Sequence, residues 1–152
     1  MKKQFALSLA LLASAWMVGC SSSSSASEED SSSSSAAYNA EDCTLSEDGV
    51  KILLPAGDEE YKIGDSITIV FVAKYANANG FNVLYKANAD DEGSELFAGS
   101  VGDESPDGTE CTEAKALLTE ELTPSTEAFI RVQAYNAPKI RANSNTFTVK
   151  AK

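Results

Sequence analysis

Ser66-Ile67-Thr68-Ile69-Val70-Phe71-Val72 is β-branched or aromatic at every position after its serine, a composition that favours a pleated strand over a helix. The turn Gly64-Asp65 stands directly before it, as punctuation at a strand boundary should. Successive side chains in a strand point to opposite faces, so Ile67, Ile69 and Phe71 are expected to face inward together.

The same grammar repeats on both sides. Upstream, Val50-Lys51-Ile52-Leu53-Leu54 stops at Pro55 and the loop Ala56-Gly57-Asp58. Downstream, Phe81-Asn82-Val83-Leu84-Tyr85-Lys86 follows the turn Asn77-Ala78-Asn79-Gly80. Then come Glu95-Leu96-Phe97-Ala98, Lys115-Ala116-Leu117-Leu118, Phe129-Ile130-Arg131-Val132-Gln133-Ala134-Tyr135 and Thr146-Phe147-Thr148-Val149-Lys150. Helical periodicity is confined to a weak candidate from Glu113 to Leu122, blunted by Thr119 and Pro124. About seven strands within roughly 110 residues imply an all-β fold, an immunoglobulin-like antiparallel β-sandwich.

The alternation also assigns faces. Ile130, Val132 and Ala134 should enter the core, with Phe147 and Val149 joining them. Phe129, Arg131, Gln133 and Tyr135 then project outward. The neighbouring strand adds Asn82, Leu84 and Lys86 to that side. An aromatic beside cationic and amide groups on a flat sheet is what contact with a polysaccharide or a protein requires. Phe129, Arg131, Gln133, Tyr135, Lys86 and Asn82 are therefore the candidate ligand-binding residues. The following segment, Tyr135 to Arg141, reads as a polar and basic turn at one end of the sandwich.

The N-terminus carries an address. Lys2 and Lys3 form a positive region, Phe5 to Val18 an apolar one, and Gly19 is the small residue expected before a cut. That apolar run, about 14 residues, is short of the roughly 20 a bilayer core requires. Met17-Val18-Gly19-Cys20 resembles the lipobox of bacterial lipoproteins, apart from Met in the place where Leu is usual. The resemblance implies a signal peptide over 1–19, diacylglyceryl and amide-linked acyl chains such as palmitate on Cys20, and durable attachment to a lipid bilayer. Ser21 after the cysteine fits sorting to the outer membrane of the cell envelope. Residues 20–37 then read as a disordered, Ser-rich tether, because two serine runs around Ala26-Ser27-Glu28-Glu29-Asp30 offer nothing to bury. Residues 38–152 remain for one folded domain.

With Cys20 assigned to lipid, Cys43 and Cys111 form an even pair in an exported chain, and a disulfide is expected. Both cysteines precede their strands, the first and the fifth, which places them at one end of a sandwich.

The net charge is −11 from 12 Lys and Arg against 23 Asp and Glu, with no histidine. That balance argues against nucleic acid and against adsorption to anionic lipid. Without histidine, nucleophilic catalysis of the Ser-His-Asp or Cys-His type is excluded, and a carboxylate pair of the glycosidase kind lacks a recognisable cleft motif. Asn88-Ala89-Asp90-Asp91-Glu92-Gly93 begins like a calcium loop but has Gly99 where the bidentate Glu should stand. The stretch from Asp103 ends in Ala114 and fails likewise. No metal, cofactor or enzymatic activity is expected.

Ile52-Leu53-Leu54-Pro55-Ala56-Gly57 and Tyr61-Lys62-Ile63-Gly64-Asp65-Ser66-Ile67-Thr68-Ile69 resemble the opening of a known Ig-like domain. Phe129-Ile130-Arg131-Val132 and Asn143-Ser144-Asn145-Thr146-Phe147-Thr148-Val149 resemble its close. It is that of the Ser-Thr-rich, GPI-anchored membrane protein family of the yeast cell-wall synthesis type, which also occurs in bacterial surface proteins. Phe71 stands where that family commonly has Trp. The resemblance implies a sandwich without a catalytic signature and a link to cell-wall glucan assembly. Two readings stay open: an envelope-anchored binding module for a polysaccharide or an envelope protein, and a structural or assembly subunit with no ligand of its own.

Overall fold

Pro55, Gly57, Gly64 and Gly80 punctuate runs of β-branched residues, and the chain folds accordingly. A computed structural model describes residues 38–152; the signal segment, Cys20 and the serine tether lie outside the described residues. A single 3-10 turn (Ala40–Asp42) is followed by β1 (Gly49–Leu54), β2 (Glu60–Lys62), β3 (Ser66–Lys74), β4 (Phe81–Lys86) and β5 (Ser94–Glu95). The chain continues through β6 (Asp107–Leu117), β7 (Ser125–Ala134), β8 (Ala137–Asn143) and β9 (Phe147–Lys150).

The strands form two sheets. One has three strands in the order β1-β3-β6, all antiparallel. The other runs β2-β9-β7-β4-β5, with β8 also pairing β7. The β2–β9 pair is parallel and the remaining pairs are antiparallel. The chain is an all-β sandwich in which β1 and β6 run the same way on either side of β3.

The inward faces are those the alternation assigns. Ile67, Ile69, Phe71, Ile130, Val132 and Ala134 are fully buried, and Phe147 and Val149 nearly so. Phe71 meets Phe81 edge-on with ring centroids 5.6 Å apart, and Tyr61 meets Phe147 in the same way at 5.5 Å. Each such side chain contributes roughly 1.5–3 kcal/mol through burial. Tyr85 lies in this core, and its hydroxyl donates to the Thr123 carbonyl at 2.7 Å. That bond fastens β4 to the loop entering β7.

Two strands escape the sequence reading. β2 is three residues long with charged side chains outside, too short to show a period. Ala137–Asn143 is a strand, not a turn: Ile140 and Ala142 are half-buried while Lys139, Arg141 and Asn143 alternate outward. The turn itself is confined to Tyr135 and Asn136. β8 and β9 are one interrupted partner of β7, because Arg131 faces Asn143 and Ala128 faces Phe147 in nearly continuous register. At the interruption the Ile130 N–H donates to Ser144 Oγ at 3.0 Å, while Ser144 N–H donates to the Ile130 carbonyl at 2.8 Å. A hydroxyl thus takes over a ladder acceptor, and the Asn145 side-chain Nδ2 next to it donates to the Ala56 carbonyl. Gly57 is required here (φ 110°), since a Cβ on it would stand 2.8 Å from that of Asn145.

The helix candidate over Glu113 to Leu122 is strand up to Leu117. Ala116 and Leu118 are buried and Leu117 is 55% exposed, a period of two. β6 also begins eight residues earlier than expected, at Asp107 rather than Lys115. Its first half is an edge rich in Thr and Glu, which carries little apolar pattern. The fourth expected strand shrinks to Ser94–Glu95, although Leu96 N–H still bonds the Val83 carbonyl and Phe81 exchanges both backbone bonds with Val101.

Cys43 and Cys111 form the expected disulfide. Its position differs from the expectation, because Cys111 lies within β6, directly across from Val72. Phe71 enters the core, so Val70, Val72 and Cys111 belong to the opposite face of this sheet. Val70 and Val72 are nonetheless fully buried. The segment carrying Cys43 is tied to this sheet at Cys111, beside Val72, and is held by Leu45 N–H to the Gly108 carbonyl (2.8 Å) and Lys74 Nζ to the Ser46 carbonyl (2.9 Å).

Candidate binding face

Strand pairing brings the candidate residues together. Asn82 lies opposite Gln133, and Gln133 opposite Arg141; Leu84 lies opposite Arg131, and Arg131 opposite Asn143. Lys86 lies opposite Phe129. These rows form the outer face of β4, β7 and β8, with neighbouring strands about 4.8 Å apart. Tyr135 stands at the end of β7, 61% exposed, and its N–H donates to the Gly80 carbonyl at 3.0 Å. Next to it, Asn136 Nδ2 donates to the Asn77 carbonyl at 2.5 Å, so the turn carrying Tyr135 is fastened to the loop before β4.

The face is not uniformly open. Phe129 and Lys86 are buried, at 7% and 4% exposure. The loop from Ala87 to Gly93 folds back beside them. Asp91 accepts from the backbone N–H groups of Ala87 (2.7 Å) and Gly93 (3.0 Å), and Asn88 Oδ1 accepts from Asp90 and Asp91 N–H. These backbone donors, reinforced by the nearby Lys86 ammonium, hold the Asp91 carboxyl below its ordinary value. Phe129 is therefore no stacking platform for a ligand. Its ring supports cations instead: the Lys86 ammonium and the Arg131 guanidinium each sit 5.9 Å from its centroid. Of the six candidates, Asn82, Arg131 and Gln133 are half-buried and Tyr135 is exposed.

Arg131 is built into place. Its Nε donates to Asn143 Oδ1 at 2.9 Å. Partial burial, together with the positive charge of Arg141, pulls its pKa below the ordinary value. Arg141 and Asn143 are the members of this face that the sequence reading assigned to a turn or left out. The signal was present as the alternation Lys139, Ile140, Arg141, Ala142, Asn143, obscured by Pro138 at the strand's start.

No protein-family model matches the chain, and no curated protein matches it. The arrangement must speak through its own chemistry. Guanidinium groups donate in a planar fork, side-chain amides both donate and accept, and an exposed tyrosine offers an apolar ring with a polar tip. Elsewhere, acidic side chains serve their own loops. Asp107 Oδ1 accepts from the Thr109 hydroxyl (2.6 Å) and N–H (3.0 Å), bonds that lower its pKa. Among the described residues no group of three or more His, Cys, Asp or Glu side chains is arranged to hold a metal ion. A shallow cavity of about 290 Å³ beside the disulfide is lined by Asp103, Asp107 and Glu110.

Proposed function

We propose that this chain is a non-catalytic bacterial lipoprotein that presents its sandwich on a serine tether as a binding module for a polysaccharide or another envelope protein. The reading rests on two parts of the molecule. The lipobox-like Met17-Val18-Gly19-Cys20 supplies the anchor and the outer-membrane address. The outer face of β4, β7 and β8 supplies the contact surface, and its arrangement is the observation that carries the reading. Polar side chains from three strands converge there, and the turn carrying the exposed Tyr135 is held to the loop before β4 by the Tyr135 N–H and the Asn136 side-chain amide. The resemblance to cell-wall Ig-like domains points the same way, toward glycan-rich surroundings.

Each part has its own test. In the native host, labelled palmitate incorporates into the wild-type protein and not into Cys20→Ser, and outer-membrane fractionation follows the label. A screen of insoluble and soluble glycans then asks for saturable binding that Tyr135→Ala abolishes while circular dichroism stays unchanged. Stoichiometric co-purification with an envelope protein, without glycan affinity, would favour the structural-subunit role.

A further inference from the structure

The acids of this chain outnumber its bases nearly two to one, yet the outer face of β4, β7 and β8 collects cations. Ion pairs among the described residues join Lys51 to Asp42, Lys150 to Glu60 and Lys152 to Glu120. Arg131, Lys139 and Arg141 take no part in them. Two guanidinium groups stand on adjacent strands, with Arg141 on the residue diagonal to Arg131 across the β7–β8 pair and close enough to add to the effect of burial in disfavouring the Arg131 charge. Arg131 is half-buried over Phe129 and pinned through Nε to Asn143, so its remaining N–H groups are preorganised rather than free to seek a carboxylate on the same surface. The nearest acid in the same rows is Glu95, separated from Arg131 by the intervening Leu84.

We infer that this pair receives the acidic groups of a polysaccharide, a carboxylate or sulfate bridging Arg131 and Arg141 while Asn82, Gln133 and Asn143 meet sugar hydroxyls. The inference rests on the binding-module reading and names its ligand class. A guanidinium fork matches a planar or tetrahedral oxyanion with two parallel hydrogen bonds. An incoming anion relieves the repulsion between the two cations. Amide groups alternating with the arginines suit a polyhydroxylated chain better than a lipid surface, which would call for exposed apolar side chains around the cations. Of the three large apolar side chains exposed among the described residues, Tyr38, Leu117 and Tyr135, only Tyr135 stands at an end of these strands, since Tyr38 precedes the 3-10 turn and Leu117 closes β6 on the other sheet. The acidic remainder of the domain does not cancel the site, because exposed charges are screened within about 8 Å at physiological ionic strength.

The test uses the full chain in detergent, titrated with polygalacturonate, with its methyl-esterified form, with dextran sulfate and with phosphatidylglycerol vesicles. Polygalacturonate or dextran sulfate should bind in a salt-sensitive manner and the esterified polymer should not. Arg141→Gln, an exposed position whose change leaves the fold intact, should weaken binding roughly tenfold or more. Arg131→Lys should weaken it while keeping the charge, because the fork is lost. Lys115→Gln on the other sheet should bind as wild type. Equal binding of the charged and esterified polymers, or full binding by Arg141→Gln, overturns the ionic assignment and leaves a glycan module standing. Binding to vesicles alone overturns the glycan. Silence toward every acidic polymer overturns the inference, and the neutral-glycan and co-purification experiments then decide the module reading separately.

Discussion

Replacing both Cys43 and Cys111 by alanine removes a cross-link between residues 68 positions apart. Holding the unfolded chain in a loop of that length is worth about 4 kcal/mol in the chain-entropy picture. The native state has little with which to compensate. Without the bond, the segment carrying Cys43 is fastened by Leu45 to Gly108 and by Lys74 to Ser46. The Lys51–Asp42 pair is spread over 3.4 Å between half-exposed side chains and adds well under about 1 kcal/mol. Equilibrium urea unfolding followed by circular dichroism measures the difference, with Cys20→Ser in both proteins so that one cysteine pair is at issue. The midpoint should fall sharply. The slope should rise, since an unlinked chain exposes more surface on unfolding. A loss below about 1 kcal/mol with an unchanged slope would refute the reasoning, showing that the bond restrains neither the unfolded chain nor the segment carrying Cys43.

Burial raises the hydroxyl pKa of Tyr61 and Tyr85 to about 12, with Glu59 and Asp91 adding to it. The folded state holds these protons more tightly than the unfolded chain, so their contribution is complete below pH 10 and lost between pH 10 and about 12. Tyr85→Phe should flatten part of that alkaline decline, measured by urea midpoints across the range, and should cost roughly 1–3 kcal/mol at neutral pH because the Thr123 carbonyl loses its donor. Ser144→Ala leaves the buried Ile130 N–H without its acceptor and should cost about 1–3 kcal/mol by the same assay. Asp91→Ala releases the loop over Lys86 and Phe129, so hydrogen exchange at Ala87 and Gly93 should accelerate. Because the Asp91 carboxyl is held low, its contribution is present at neutral pH and fades as pH falls through the carboxylate range; the variant's acid profile should be correspondingly shallower.

The sandwich was legible wherever a strand spans the core, because there one face must be apolar and the period of two shows. β3, β4 and β7 are such strands. Legibility failed where the physical demand is weaker. The first half of β6 is an edge, pairing β3 through its backbone while Thr109 and Glu110 stay exposed and the inward position beside Phe71 is a threonine, Thr112. β2 is only three residues long, joining β9 with Tyr61 opposite Val149. The complete burial of Val70 and Val72 was also hidden, since local alternation assigns them the face opposite Phe71 and cannot reveal that this face too is closed to solvent.

The binding face divides along the same line. Its β4 and β7 members were readable because Ile130 and Val132 announce which side is inward, and everything between them must then be outward. What the chain could not disclose one strand at a time is the relation among outward groups. Phe129 and Lys86 have outward parity and are buried all the same, covered by a loop whose folding depends on Asp91 bonding its own backbone. Arg141 comes within reach of Arg131 only because the Tyr135–Asn136 turn brings β8 back alongside β7. A pair of like charges set side by side in a chain rich in acids costs stability, and folding alone gives no reason to keep it. An anion bound between them does.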